Sequence, residues 1–524
     1  MGRLWPVVER QLGRLVRAAV FLVSIALLGG LLPGTVLSAP AHALTIPTSD
    51  PIPRADWIIA ENRLPGTTDW LIPSGTRQGI EGYADHVSAA HGEQVRLHVS
   101  TGATTFHVEA YRIGYYQGLG GRLVWRSREV EGSKGADPAL LASTNTIEAR
   151  WPVSIRVTID KAWVQGEYLL KLVSSSGGAG YIPLTIRDDS STAALVVING
   201  VTTWQAYNRW GRYSLYEGSD GSFATRSRMV SFDRPYRARR GAGAFPWMEQ
   251  PLVVLVERYG MDVTYQTDVD LHAHPGRLLR HRALVTLGHD EYWSSSMRRG
   301  VLAARDEGVN IAFLGGNTAY RHIRFEPSPL GQDRHVVCYK VAREDPLYGI
   351  DDDEVTSDWR DPPVPRPESV LLGGFYRCAY VQNASLVVSE PDAWVFEGTG
   401  LVAGSRLPGV IHFEVDNVEP RVPTPDTIQI LAHSPVSCSG RADFADVTYY
   451  TTTSGAGVFN AGNQGWMDSL RCPEPVHEPS CDQQVMRITR NVLAGLAIGP
   501  AGVLHPSETN LARFGIELQE PIHP

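Results

Sequence analysis

Ala193-Ala194-Leu195-Val196-Val197-Ile198 is an unbroken apolar run, followed at once by the polar and aromatic stretch Asn199-Gly200-Val201-Thr202-Thr203-Trp204-Gln205-Ala206-Tyr207-Asn208. A strand that alternates has one wet face. A strand that is apolar throughout is buried on both faces, as in a parallel sheet covered by helices. Downstream, residues 251–259 read as a helix, 262–265 and 283–287 as strands, 294–307 as a helix and 309–314 as a strand. Strands alternating with helices build βαβ units and an open, mostly parallel sheet. Residues 345–367 form an acidic, Pro-rich insertion, strand-like segments return over 369–413, and a last helix is expected at 487–496.

Upstream the period changes. Gln94-Val95-Arg96-Leu97-His98-Val99, Thr105-Phe106-His107-Val108-Glu109-Ala110-Tyr111 and Ser154-Ile155-Arg156-Val157-Thr158-Ile159 alternate between apolar and polar residues. Such runs, separated by Gly- and Ser-containing turns, predict an antiparallel sandwich or jelly roll. Gly118-Leu119-Gly120-Gly121-Arg122 falls among them and reads as a turn, not a dinucleotide loop. The expected fold class is a two-domain α+β / α/β chain. Residues 44–80 are an extended lead-in, 81–188 a β-sandwich domain, 189–505 an α/β domain with the site and 506–524 a C-terminal tail.

The first 43 residues carry Arg3, Arg10, Arg14 and Arg17, then an apolar run over 18–32, Pro33, Gly34 and a stretch ending Ala41-His42-Ala43. That is the basic, apolar, small-residue order of a secretory signal. The run is shorter than the roughly 20 residues of a spanning helix, so residues 1–43 read as a signal peptide, with an uncleaved N-terminal anchor as the alternative. The protein is therefore expected to be secreted or at the cell surface. Net charge is −8 with no Lys/Arg cluster, which argues against a nucleic-acid partner. An exported chain can oxidise its five cysteines, Cys338, Cys378, Cys438, Cys472 and Cys481. None has the C-x-x-C spacing of a zinc site, so they read as structural. Cys472 and Cys481 bracket a Pro-rich loop and form the easiest pair to bridge.

Ligands of open α/β sheets bind beyond the carboxyl ends of the strands. The segments to inspect are therefore 199–208, Gly288-His289-Asp290-Glu291-Tyr292-Trp293-Ser294 and Gly315-Gly316-Asn317, the last being closest to a bland connector. His289 with two neighbouring carboxylates suits a general base and its orienting partner, or a metal site. The competing reading is capping of the helix over 294–307 by Asp290 or Ser294. Capping leaves unexplained why His289 and Glu291 stand together. Tyr207, Tyr213, Tyr216 and Tyr236 are dense, but such tyrosines are usually packing residues with a bonded tip. His272 and His274 form an H-x-H pair in a surface-like loop, a weak metal signal. The chain has no G-x-S-x-G elbow, H-E-x-x-H helix or Walker loop.

Taken in order, several stretches resemble the large (beta) subunit of N,N-dimethylformamidase and its wider family. They are Tyr111-Arg112-Ile113-Gly114-Tyr115-Tyr116 with Gly120-Gly121-Arg122; Thr203-Trp204-Gln205-Ala206-Tyr207-Asn208 with Ser214-Leu215-Tyr216; Phe232-Asp233-Arg234-Pro235-Tyr236; and Asp268-Val269-Asp270-Leu271-His272. Residues 288–294 follow, then Phe313-Leu314-Gly315-Gly316-Asn317, and Val458-Phe459-Asn460-Ala461-Gly462 with Trp466. The resemblance implies a β-sandwich-like domain before an α/β domain. It also implies a ferric ion (Fe3+), held by two tyrosinates and a glutamate, that hydrolyses an amide. On that mapping Tyr207, Tyr236 and Glu291 are the metal ligands, with Tyr216 as substitute for Tyr236. His289 and Glu414 are the catalytic pair, with Asn208, Asp290 and Asn317 in support. Three anionic oxygens suit a hard ferric ion and leave positions open.

The function expected is an exported, iron-dependent hydrolase of C–N (amide) bonds. The alternatives are a non-catalytic extracellular glycan- or polymer-binding surface protein, or a hydrolase working a carboxylate pair on a glycosidic bond. The expected partners are a small-molecule or polymer substrate outside the cytoplasm and further copies of the same chain. A membrane enters only if the N-terminal segment stays uncleaved. The amidase works with a small second subunit that has no counterpart in this chain.

Overall fold

The computed structural model describes residues 52–471 and 483–524. The signal-type segment and the cysteines Cys472 and Cys481 lie outside the described residues. The seven-stranded central sheet runs in the spatial order Val263–Thr267, Leu195–Asn199, Ala283–Gly288, Asn310–Gly315, Gly457–Asn460, Arg441–Thr451, Gln429–Cys438. The first five strands are parallel, in register Val197↔Tyr265, Val197↔Val285, Val285↔Ala312 and Ala312↔Phe459. The last two form an antiparallel extension at one edge.

The solid apolar run behaves as its composition demands. Alternate residues of a strand face opposite sides. Here Leu195 and Val197 enter one core with Val253 and Val256 of the helix Gln250–Arg258 and Val492 of the helix Gln483–Ala497. Val196 and Ile198 enter the other, with Met297 and Val301 of the helix Ser295–Asp306. Ser294 caps that last helix by accepting from the Met297 amide at 3.3 Å, so the capping reading belongs to Ser294 and not to Asp290.

Among the strands that pair in parallel, the spatial order in terms of chain position is second, first, third, fourth, fifth. The order reverses between Leu195–Asn199 and Ala283–Gly288, and such a switch point opens a crevice at the strands' carboxyl ends. The segments carrying Tyr207 and His289 leave the sheet there.

At the front, a three-stranded sheet (Ile80–Ala84, Gln94–Thr101, Ile155–Thr158) faces a six-stranded one that includes Thr105–Ile113, Gly166–Ser174 and Ala179–Ile186. Val95, Leu97 and Val157 from the first meet Val108, Leu170 and Ile182 from the second in one core. The change of pattern near residue 188 is not a gap in packing, because Tyr111, Leu169 and Tyr181 share a core cluster with Leu195 and Val197. Arg112 of the front sheet also makes a fully buried double contact, 2.5 and 2.8 Å, with Glu257 of the helix Gln250–Arg258.

Two expectations need correction. Residues 56–61 of the lead-in are a helix, because Ile58 is buried and the Ala55 amide donates to the Gly260 carbonyl. The C-terminal stretch is not a loose tail, since Pro521–Ile522 pairs with Thr424–Pro425. The disulfide seen is Cys378–Cys438, 5.7 Å between Cα atoms, because the strand Phe375–Val387 and its continuation run beside Gln429–Cys438. Cys338 is buried and free.

Candidate active site

The helix Val201–Ala206 leaves the first strand and delivers Tyr207 at its end. The chain then loops back, and the Leu215 amide donates to the Ala206 carbonyl at 3.0 Å, which sets Tyr216 beside Tyr207 with ring centroids 4.5 Å apart. From the neighbouring strand, Gly288 turns the chain with φ +49, where a side chain would meet the Met248 carbonyl at 2.6 Å. His289 and Glu291 follow directly.

Three oxygens converge. Tyr207 Oη donates to Glu291 Oε2 at 2.7 Å, and Tyr216 Oη lies 2.7 Å from Tyr207 Oη and 3.1 Å from the same carboxylate oxygen. Tyr292 Oη donates to Tyr216 Oη at 2.7 Å, and Lys340 donates to Tyr292. Lys340 Nζ also stands 3.7 Å over the Tyr216 ring. Arg321 holds Glu291 Oε1 through Nε at 3.1 Å and pairs with Asp358 on its other side.

His289 bridges this group to Glu414. Its Nε2 lies 3.3 Å from Glu291 Oε2 and 3.0 Å from Glu414 Oε2. Glu414 is held in turn by Asn317 Nδ2 at 2.9 Å, by Gln464 Nε2 and by Tyr376 Oη at 3.2 Å. The Gly315-Gly316-Asn317 connector is bland in composition but not in role. A side chain at Gly316 would strike the Glu414 carbonyl at 2.7 Å, and Asn317 takes φ +57 with its amide on Asp416 Oδ1.

Burial lifts the Tyr207 and Tyr216 phenols well above their ordinary range, and the Glu291 charge adds to it. Glu291 is held below the carboxylate range: burial opposes ionisation, but His289, Lys340 and Arg321 outweigh it. Burial pulls His289 down, yet Glu414 and Glu291 carry it up to about 10. Burial with Arg321 nearby brings Lys340 down to about 7.

The three oxygens fit a small hard cation. Ligands at right angles around an ion bound at about 2.0–2.1 Å sit about 2.9 Å from one another, close to the 2.7, 2.7 and 3.1 Å found here. Their chemistry fits too: ionised, they are three hard anionic oxygens.

Other expected residues stand elsewhere. Tyr236 does not join the group; its ring packs edge-on against Trp204 at 6.0 Å. The cause is Asn208, which accepts from the Arg237 amide at 3.0 Å and donates to the Pro235 carbonyl at 2.9 Å, fixing the turn that carries Tyr236. Asn208 is therefore a loop clamp that faces no donor oxygen. Asp290 is buried beneath Gly200 with both carboxyl oxygens unpartnered, and burial pushes it up to about 7. Tyr213 bonds Ser219 at 3.2 Å. His272 bonds Ser294 at 2.7 Å while His274 is exposed, so the H-x-H pair does not converge. Arg321, Lys340, Tyr376 and Gln464 carry no local sequence signal; Tyr292 lies inside the motif already singled out.

A second group of ligating types, Glu148, Asp233 and His335, is buried with its donor atoms all within 4.8 Å of one another, a spacing able to hold a metal ion. Its charges are already met. His335 contacts Glu148 at 2.8 Å, Arg150 contacts Glu148 at 2.7 Å and Arg334 contacts Asp233 at 2.8 Å.

Fold and site together define an α/β protein with a built, buried polar centre at its switch point. The chain belongs to the N,N-dimethylformamidase beta subunit-like, C-terminal family, whose sequence pattern matches residues 107–482. The match points to a dimethylformamidase-like hydrolase, and the family is named for a beta subunit, one component of a larger enzyme. No curated protein sequence matches the chain. Among solved structures, a Paenibacillus sp. cycloisomaltooligosaccharide glucanotransferase complexed with cycloisomaltoheptaose is similar at 13% identity and a TM-score of 0.14. The likeness covers 23% of this chain and 16% of that one, and carries no argument about fold or substrate.

Proposed function

We propose that this chain is an exported, iron-dependent hydrolase of C–N bonds in amides, with Tyr207, Tyr216 and Glu291 as the iron ligands. The observation that carries the reading is the convergence of two phenol oxygens and one carboxylate oxygen within 3.1 Å of one another, next to a histidine shared with a second carboxylate. Relative to the sequence expectation, Tyr216 replaces Tyr236.

A ferric ion there supplies Lewis acidity toward the amide carbonyl and toward water. The chain's own residues handle protons. Glu414, 3.0 Å from His289 Nε2, takes the proton of the attacking water, the His289 imidazolium gives its own proton to the leaving nitrogen, and the proton on Glu414 then passes back to His289. The products are a carboxylic acid and an amine. Asn317, Gln464 and Tyr376 all donate to Glu414, which fixes its carboxyl beside His289. Lys340, through Tyr292, and Arg321 offset the negative charge that two tyrosinates and Glu291 bring together.

The glycosidic alternative gains nothing from this arrangement. One nitrogen spans Glu291 and Glu414, so their carboxyls are close enough for a glycosidase pair. The imidazole, however, fills the space a sugar would need. The basic, apolar and small-residue start of the chain supports a substrate met outside the cytoplasm. The test is hydrolysis of a panel of small N-alkyl amides by the mature protein, read as amine release. Turnover lost in Glu291→Gln supports the reading; turnover unchanged in that variant overturns it.

A further inference from the structure

Lys340 is an anomaly in the wall of the site. It is 8% exposed, and its backbone takes φ +62, the left-handed region that residues with a side chain seldom adopt. A buried lysine is costly unless a counter-charge meets it. Among the described residues it forms no ion pair; its nitrogen instead donates to Tyr292 Oη and stands 3.7 Å over the Tyr216 ring and 4.8 Å over the Tyr292 ring.

Tyr292 is fully buried and fixed at its backbone. Its strand, Tyr292–Ser294, pairs with Arg321–Ser328, and its carbonyl accepts from Thr202 Oγ1 at 2.9 Å. A tyrosine hydroxyl carries one hydrogen. Lys340 meets the Tyr292 oxygen as a donor, so that hydrogen points to Tyr216 Oη, 2.7 Å away. The bonds form one directed chain: Lys340 to Tyr292, Tyr292 to Tyr216, Tyr216 to Tyr207 at 2.7 Å and Tyr207 to Glu291 at 2.7 Å. A cation held by the last three oxygens replaces two protons of this chain, those of Tyr216 and Tyr207. The Tyr292 proton lies one bond further out. It stays, and it then faces an anionic oxygen, the stronger kind of acceptor.

We propose that Tyr292 is a positioning residue for the iron: its hydroxyl, aimed by Lys340, donates to the Tyr216 tyrosinate and weakens that ligand's electron donation, which leaves the ferric ion a stronger Lewis acid. Hydrogen bonds to the ligands of a metal tune the metal through them. The inference rests on the iron reading above and adds to it a residue one bond removed from the ion. It also gives the buried Lys340 cation its counter-charge, since the Tyr216 oxygen becomes anionic when iron binds.

The test compares the iron-loaded wild type with Tyr292→Phe, which keeps the ring and removes only the hydroxyl. Iron content should be the same in both. The visible tyrosinate band should move to longer wavelength in the variant, because an oxygen relieved of a hydrogen bond gives electron density to the ferric ion at lower energy. Turnover of an N-alkyl amide should fall about tenfold, the low end for a lost outer partner. Lys340→Met keeps the hydroxyl but not the group that aims it, and should move the band the same way by less. That variant keeps the test open if Tyr292→Phe fails to fold. A band unmoved, or moved to shorter wavelength, in the folded variants overturns the proposal, since a tyrosine that only packs would leave the spectrum alone. Loss of iron from folded Tyr292→Phe overturns it as well, because the residue would then hold the metal and not tune it. A colourless, iron-free wild type removes the ligand assignment and this inference with it; a coloured wild type with unmoved variants removes this inference alone.

Discussion

Two buried polar clusters in this molecule use the same residue types and balance charge in opposite ways. Glu148, Asp233 and His335 look like a metal site by type and spacing, yet Arg150 and Arg334 already pair with the carboxylates, and His335 contacts Glu148. Around Glu291, two phenols too deeply buried to ionise on their own point at a carboxylate. The second cluster needs a cation to reach its charged form; the first already has its cations. Which side chains stand together matters less than whether their charge is already met.

The comparison can be broken at either end. The largest effect is expected from Tyr207→Phe and Glu291→Gln, each lowering bound iron below detection and amide hydrolysis at least about a thousandfold, since a Lewis-acid site contributes several kcal/mol. Metal analysis alongside turnover checks this; iron retained in both variants would sink the ligand assignment. His289→Ala should lower turnover by about 10²–10⁴ while leaving iron bound, as for a lost general acid–base group.

Acidification should release iron from the Tyr–Glu group. The pKa values of Tyr207 and Tyr216 are raised, so each phenol gives up a proton as iron binds; affinity therefore rises with pH and falls as pH drops. A titration by equilibrium dialysis in which affinity is flat with pH contradicts this. At the other cluster, Glu148→Gln removes one partner of a buried network and should cost about 3–5 kcal/mol in denaturant unfolding, with iron content unchanged. Loss of iron there would mean that the metal sits at His335 instead. The smallest effect is expected from Gln464→Ala, which frees one of the groups holding Glu414 and should cost about tenfold in turnover, the low end for an outer partner.

Much of this was legible in the sequence for physical reasons. The apolar run 193–198, with no alternation, allowed only a strand covered on both faces, and the central sheet follows from it. His289 and Glu291 stood out because polar residues at a strand mouth are costly unless used. The second tyrosine did not read correctly, because the choice between Tyr216 and Tyr236 depends on two hydrogen bonds, Leu215 to Ala206 and Asn208 to the 235–237 turn. Arg321 and Lys340 reach the site from the two ends of an antiparallel pair, Arg321–Ser328 and Gly331–Val337, and fall inside none of the motifs. The disulfide had no local signal for the same reason: Cys378 and Cys438, 60 residues apart, meet only through the neighbouring strands that carry them.

The central claim is that Tyr207, Tyr216 and Glu291 hold a ferric ion. It is tested most directly by the metal content and visible spectrum of the mature protein purified in air, compared with Tyr207→Phe. The account predicts about one iron per chain, with the coloured absorption of ferric tyrosinate, and both lost in the variant. A folded, colourless wild type without stoichiometric iron would contradict it, as would colour and iron unchanged by Tyr207→Phe.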